Sequence, residues 1–413
     1  MFGWYQKVSQ REQRTFWACF AGWALDAMDG QLYAVAIPTL IGIWGLTTGE
    51  AGILSTVALI SSACGGWLAG LLSDRYGRVR VLQATILWFS FFTLLSGLTN
   101  SYEQLLVVRT LQGFGFGGEW AAGAVLMGEV IQAKYRGKAV GLVQGGWSVG
   151  YGAAVLLYSI IFSFVPAAVG WRVLFFIGVL PAFLVFAVRR YVEEPDVYIA
   201  TRKAIEAGAA PARARELFST QQLKTTVLAS LLATGVLGGN YTILTWLPTY
   251  LKLTRGLSVS NTGIYLFINI CGSFLGYMVS SNLSDKFGRR PTFVVFAMLS
   301  TITVLAYMYL PLESFSLMAL GAVLGFSQSG CLGGMGAFFT ELSPSRIRGT
   351  AQGFKYNVGR GIGGLCPALA GLLSTQLGLG EAIAILAAGA YAMVVIVTVG
   401  LPETRGKELQ VYS

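Results

Sequence analysis

The chain has 413 residues, 54% of them hydrophobic and only 12% charged, with a net charge of +10 and no histidine. Soluble domains carry about 25% charged residues, so a water-soluble enzyme or nucleic-acid-binding domain is excluded. A histidine proton relay, haem ligand or histidine-containing metal site is excluded with it.

Apolar runs of about 20 residues, the length that crosses a bilayer core, recur along the chain. They predict an all-α polytopic protein with twelve membrane spans: 16–44, 50–72, 80–99, 103–130, 138–165, 171–190, 222–250, 260–282, 291–310, 314–339, 350–376 and 380–400. The first run has no convincing small-residue cleavage site and is expected to stay as the first helix. The 53 glycines suit close helix packing in lipid. Cys19, Cys64, Cys271, Cys331 and Cys366 fall inside apolar segments without metal-ligand spacing and read as buried thiols.

Lys and Arg alternate from connection to connection. One set runs through Lys7, Arg11 and Arg14; Arg75, Arg78 and Arg80; Lys134, Arg136 and Lys138; the linker; Lys286, Arg289 and Arg290; Arg346 and Arg348; and Arg405 and Lys407. The opposite set is nearly bare apart from Arg172, Lys252 and Arg255. The positive-inside rule makes the basic set, and both termini, cytoplasmic. The expected location is a bacterial inner membrane, and the bias explains the basic balance without nucleic acid.

The longest polar stretch, 191–221, reads as a cytoplasmic linker between an N-terminal six-helix half (1–190) and a C-terminal half (222–413). The halves echo each other. LLSDRYGR at 71–78 matches NLSDKFGR at 282–289, and GEVIQAKYRGKAVG at 128–141 matches TELSPSRIRGTAQG at 340–353. VEEP at 192–195 and LPETRGKEL at 401–409 follow the sixth and twelfth spans. A duplicated chain with matched acid–arginine loops is the architecture of an alternating-access carrier.

These motifs resemble the major facilitator superfamily, above all GLLSDRYGR at 70–78 and SDKFGRR at 284–290. GWALDAMDGQLYAVAIPTL in span one, RTLQGFGFGGEWAAGA in span four, TWLPTYL at 245–251 and FKYNVGRGIGG at 354–364 resemble its proton symporters of organic acids, especially the sialic-acid and carboxylate branch. Aromatic-acid and shikimate-type carriers lie nearby. PETRGKEL is similar to the sugar-porter tail. The histidine motif of some lactate permeases is absent from span seven, which reads GGNYTILTW.

Asp26 and Asp29 share a face of span one, about 15 and 20 Å along it. Carboxylates at that depth need a cavity or a partner, so they read as proton carriers or as a structural pair. Arg109, Gln112, Phe116 and Glu119 lie within about 80° around span four and form a polar stripe. Glu119 is a third candidate proton carrier. Arg109 could pair with a helix-one aspartate or hold a substrate carboxylate. In span eleven Arg360, with Asn357 on its general side, reads as an anion ligand roughly 18 Å deep. Lys355 points about 140° away, to snorkel or to join a gate. Asn240, Tyr241 and Trp246 in span seven and Gln328 in span ten complete the expected pocket, with Gln31, Tyr33, Gln144, Trp147 and Tyr151 as weaker members. Pro248 is expected to kink span seven, and Tyr250 reads as an interface anchor.

The cytoplasmic gate is expected from Asp74, Arg75, Arg78, Glu129 and Arg136 in the first half. Asp285, Arg289, Arg290, Glu341, Arg348 and Lys355 supply it in the second. The expected function is import of an organic acid anion, a monocarboxylate, sialate or aromatic acid, by proton symport through alternating access. The alternative is symport of a neutral sugar, polyol or zwitterionic osmolyte, with efflux behind it. The protein is expected to act as a monomer in the lipid bilayer, with no cofactor beyond the coupling proton.

Overall fold

The computed structural model describes residues 5–131, 136–180, 182–183, 193, 217–342 and 348–405. They form an all-α molecule. The first half contains α1 (Gln10–Trp44), α2 (Thr48–Tyr76), α3 (Arg78–Ser96), α4 (Tyr102–Val130), α5 (Arg136–Phe164) and α6 (Ala167–Ile177). The second contains α7 (Thr220–Thr249), α8 (Val259–Phe287), α9 (Arg289–Tyr309), α10 (Ser314–Gly333), α11 (Met335–Glu341), α12 (Arg348–Gly363), α13 (Cys366–Leu377) and α14 (Leu379–Gly400).

These helices make the twelve predicted spans, because two spans are broken. The predicted single helix 350–376 is two helices, α12 and α13. Pro367 at the start of α13 lacks an N–H and fits only a first helical turn. The tenth span breaks at Gly334 into α10 and α11. Pro248 does not end span seven. Instead α7 runs through it and widens into a π-helical turn over Tyr250–Thr254, closed by the bond from Arg255 N to Tyr250 O at 3.0 Å. Among the described residues, eight helical segments are long and apolar enough to cross a membrane by length and composition. The segments outside that set include α1, α4 and α12, whose apolar runs are interrupted by glycine and by Asp26, Asp29, Arg109, Lys355 and Arg360.

The two halves reuse one packing scheme. Gly113 and Gly117 of α4 let its backbone close on Ala58 and Ser62 of α2. Gly272 and Gly276 of α8 do the same against Ala322 and Phe326 of α10. A side chain at any of these positions would meet backbone. The matched turns use Gly77 (φ 106°) and Gly288 (φ 112°), a region that disfavours any Cβ.

The halves meet along α2–α13, α2–α12, α5–α8 and α1–α7. At the end opposite the basic connections they are closed. Gly52 sits so near Pro367 that a Cβ would lie 2.6 Å from its carbonyl oxygen. Thr48 Oγ1 donates to Gly371 O at 3.0 Å, Ser374 Oγ donates to Thr48 Oγ1 at 2.8 Å, and Ala368 N donates to Thr56 Oγ1 at 3.1 Å. The basic residues that broke the charge pattern serve structure at this end. Arg172 donates to Gly97 O and Thr99 O, and Arg255 to Leu312 O, satisfying carbonyls of the α3–α4 and α9–α10 connections.

Candidate transport site

Two cavities lie between the halves and share Trp147 and Tyr241. The first is lined mainly by α1, α2 and α4. The second is lined mainly by α7, α8 and α10 to α12.

The first lobe holds a closed polar chain. Arg109 donates from Nη1 to Gln112 Oε1 at 2.8 Å. Gln112 Nε2 donates to Asp29 Oδ2 and to Thr93 Oγ1, both at 2.6 Å. Thr93 in turn donates to Phe89 O at 2.9 Å. This pattern fixes the amide orientation, because only nitrogen can donate to a carboxylate. The Arg109 guanidinium lies 4.6 Å from the centre of the Tyr33 ring, and Tyr33 OH donates to Ala51 O at 2.8 Å. Asp29 is fully buried, and its Oδ1 has no hydrogen-bond partner among the described residues. Gly178, just beyond α6, backs it so closely that a Cβ would stand 3.0 Å from Oδ1.

The second lobe is aromatic, with one cation. Arg360 lies between two rings, 4.9 Å from the centre of Tyr356 and 5.6 Å from that of Phe116. Phe116 belongs to the other half, so this contact crosses the interface. Arg360 Nη2 donates to Tyr356 OH at 3.3 Å, while Nε and Nη1 have no hydrogen-bond partner among the described residues. Gln144, Asn240, Tyr241, Tyr277 and Gln352 supply further polar groups. Trp147 packs on Trp23 at 5.1 Å and on Phe116 at 6.3 Å, forming the wall common to both lobes.

The structure therefore brings Asp29, Arg109, Gln112, Phe116, Gln144, Trp147, Asn240, Tyr241 and Arg360 to one site. Asp26 is fully buried but lines neither lobe, so the two aspartates do not present one surface to the cavity. Asn357 turns from the pocket: its Oδ1 lies against Gly66 of α2 and its Nδ2 donates to Gly353 O. The lining residues of α12 instead follow a four-residue step, Gln352, Tyr356 and Arg360. Gln328 and Tyr151 are buried away from both lobes. Lys355 is buried, so it does not snorkel. Trp246 ties α7 to α13 through Nε1 and Pro367 O at 2.9 Å. Tyr250 is no interface anchor, being buried against Tyr307. The side chain of Glu119 lies outside the described residues.

Of the expected gate, the side chains of Asp74, Arg75, Arg78, Glu129, Arg136, Asp285 and Arg348 also lie outside the description. Arg289, Arg290 and Glu341 belong to a network at the basic end of the second half. Arg289 grips Glu341 with two of its three nitrogens, Nη2 at 2.7 Å and Nε at 3.0 Å. Arg290 donates to Thr398 O and Val399 O at the end of α14. Two members were missed in the sequence, where the tail read only as a shared motif. Glu403 accepts from the backbone N–H of Arg289 and Arg290 at 2.9 and 3.0 Å, and Thr404 Oγ1 donates to Glu341 Oε2 at 2.6 Å. The tail thus caps the first turn of α9. Thr93, Tyr277, Gln352 and Tyr356 were missed as well; the four-residue spacing back from Arg360 is the signal that points to two of them.

A family model described as Major Facilitator Superfamily matches residues 19–312 and 256–411. The chain is 43% identical over 406 residues to a probable 4-methylmuconolactone transporter of Cupriavidus pinatubonensis, covering 98% of this chain and 94% of that one. It is 31% identical to a cis,cis-muconate transport protein of Acinetobacter baylyi, covering 88% and 89% of the two. A solved proton:xylose symporter bound to 6-bromo-6-deoxy-D-glucose superposes with a TM-score of 0.77 at 18% identity, over 97% of this chain and 98% of that one. At that identity the likeness is one of fold.

Proposed function

Because the chain belongs to the major facilitator superfamily, a family of multi-pass membrane transporters and not of enzymes, we propose that it is a proton-coupled symporter of a small carboxylate-bearing solute. It works by alternating access in a bacterial inner membrane, with both termini cytoplasmic. The observation that carries this reading is the pairing of the lobes. One holds a buried carboxylate, Asp29, that can take a proton. The other holds Arg360, with two nitrogens open for a carboxylate beside an aromatic wall.

The cycle runs as follows. A proton neutralises Asp29, the solute carboxylate enters against Arg360, and the halves rock about the α2–α13 and α5–α8 seams. Carrying one anion inward against a negative-inside potential costs about 2.3 kcal/mol per 100 mV, and one accompanying proton cancels that charge. The Arg289–Glu341–Thr404 network holds the basic end of the second half together while the halves move. The names of the muconolactone and muconate relatives agree with an acid.

A second reading is symport of a neutral sugar, polyol or zwitterionic osmolyte. It draws on the amides and phenols of Gln144, Asn240, Gln352, Tyr241 and Tyr277, which suit hydroxyl groups, and on Arg109 being already engaged by Gln112. The two readings meet in a zwitterion, whose carboxylate also fits Arg360.

Uptake into proteoliposomes of purified protein decides between them. The solutes are 4-methylmuconolactone, cis,cis-muconate, proline, betaine and xylose, each with and without an imposed proton gradient. Gradient-driven accumulation of 4-methylmuconolactone or cis,cis-muconate supports the first reading, and accumulation of proline or betaine without them supports the second. Accumulation of xylose alone overturns the first. Uptake that ignores the gradient sinks proton coupling in both.

A further inference from the structure

Gln112 reads from sequence as a substrate ligand, yet its amide is already occupied on both sides. One N–H goes to Asp29, the other to Thr93, and Oε1 takes Arg109. It retains one acceptor lone pair and no donor. It lies between the proton site and the cation of the first lobe and is hydrogen-bonded to both.

We propose that Gln112 is a relay that couples the proton on Asp29 to the reach of Arg109, and that it is a positioning residue, not a solute ligand. The argument rests on the symport reading above. With Asp29 ionised, Oδ2 holds the amide nitrogen, so Oε1 must face Arg109 and keeps Nη1 over the Tyr33 ring. A proton on Oδ2 sets donor against donor. Turning the amide by half a revolution relieves this clash, because Oε1 then accepts from the carboxyl. The same turn presents an NH₂ group to Arg109, which cannot accept, and the guanidinium is released toward the cavity. A proton on Oδ1 weakens the same bond by removing the charge that strengthens it. Either way Arg109 becomes available to a solute acceptor only when the proton is aboard.

The surroundings leave Arg109 as the charged group facing Asp29 among the described residues. From α3 comes the neutral Thr93, from the turn after α6 the backbone at Gly178, and from α1 itself Tyr33, one turn along. Thr93 cannot substitute for Gln112, since its hydroxyl donates to Phe89 O. The linkage is reciprocal: a solute acceptor on Arg109 favours the turned amide, and so favours the proton.

The test uses radiolabelled 4-methylmuconolactone in proteoliposomes of the full chain, scored for gradient-driven accumulation and for exchange at equal pH. Gln112→Met keeps the side chain's length without its polar ends. It is expected to lower the ratio of gradient-driven accumulation to exchange about tenfold, the size of a typical coupling factor. Gln112→Glu is the conservative variant. Its protonated form can still accept from Arg109 and donate to Asp29, so coupling returns only on the acid side. A purely structural role would not shift the pH profile.

Retained accumulation in Gln112→Met with only a raised KM overturns the relay and makes Gln112 an ordinary pocket residue. If Gln112→Met is inactive in both assays, Gln112→Glu decides: acid-only rescue supports the relay, and a pH profile like that of the unaltered chain, or no activity at any pH, overturns it. Failure of the symport reading shows elsewhere, in an unaltered chain that ignores the gradient, and the relay falls with it.

Discussion

The two lobes of the site differ in how their cations are held. In the first half Arg109 is tied through Gln112 to Asp29, so that lobe is balanced within itself. In the second half Arg360 has aromatic faces and a phenol but keeps two nitrogens without a hydrogen-bond partner among the described residues. Duplication kept the scaffold, visible in the matched glycine contacts and the Gly77 and Gly288 turns, and let the pocket diverge. A balanced lobe suits a proton, whose arrival changes one charge. An open cation suits a solute that brings its own.

Arg360→Ala should have the largest effect. Removing a buried partner of a carboxylate costs about 3 to 4 kcal/mol, or an affinity loss of about two to three orders of magnitude. Uptake KM in proteoliposomes reads it, and the pH dependence of exchange should persist. If Arg360→Ala abolishes the pH dependence as well, the division between lobes is wrong. Asp29→Asn is the opposite break. It should leave exchange intact while the accumulation ratio falls about tenfold for each unit of imposed pH gradient, the free energy carried by one proton.

How far the sequence reaches follows the same division. The spans, the two halves and the deep Asp29, Arg109 and Arg360 were legible, because an apolar run of membrane length and a charge inside it need no partner to be noticed. What a charge faces was less legible. Asn357 and Arg360 are three residues apart, yet one meets Gly66 of α2 and the other the cavity, since the close approach at that glycine claims the Asn357 side. Asp26 shares a helical face with Asp29 by spacing, but the cavity touches only the second. Glu403 and Thr404 escaped notice because their partners, Arg289, Arg290 and Glu341, lie 63 to 114 positions away.

The two ends of the molecule make a second contrast. The basic end of the second half is tied within that half by Arg289 and Glu341, whose side chains are only 10% and 13% exposed. Glu341→Gln should lower stability by about 2 kcal/mol, because it removes the charge from a bidentate, largely buried ion pair, and thermal unfolding in detergent measures it. The opposite end is closed between halves by glycines and hydroxyls. Gly52→Leu places a side chain where Pro367 O stands and should hold that end open. Exchange should slow about tenfold, or about 1.4 kcal/mol in the barrier. A cysteine at Ser55, which lines the first lobe, should then react faster with a thiol reagent added from that side. Equal reactivity with and without Gly52→Leu would mean that these contacts do not gate access.

Glu403→Gln should have the smallest effect, and its pH behaviour is what identifies it. Partial burial raises the Glu403 carboxyl, but backbone N–H donors from Arg289, Arg290, Arg405 and Thr404 outweigh it and hold the group below its ordinary value of 4.5. A carboxyl lowered on folding adds stability above its unfolded value, and that stability is lost as pH falls through the lowered one. The tail's hold on α9 is therefore complete at neutral pH and fades in acid. Glu403 is exposed, so solvent screening keeps its contribution below about 1 kcal/mol, the scale of a carboxylate at a helix N-terminus. The unaltered chain should lose its small advantage over Glu403→Gln as pH drops below the ordinary carboxylate range, while Glu341→Gln, with its partner buried, should stay well below both at neutral pH. An advantage that instead persists unchanged in acid would show that the tail is not held by the charge on Glu403.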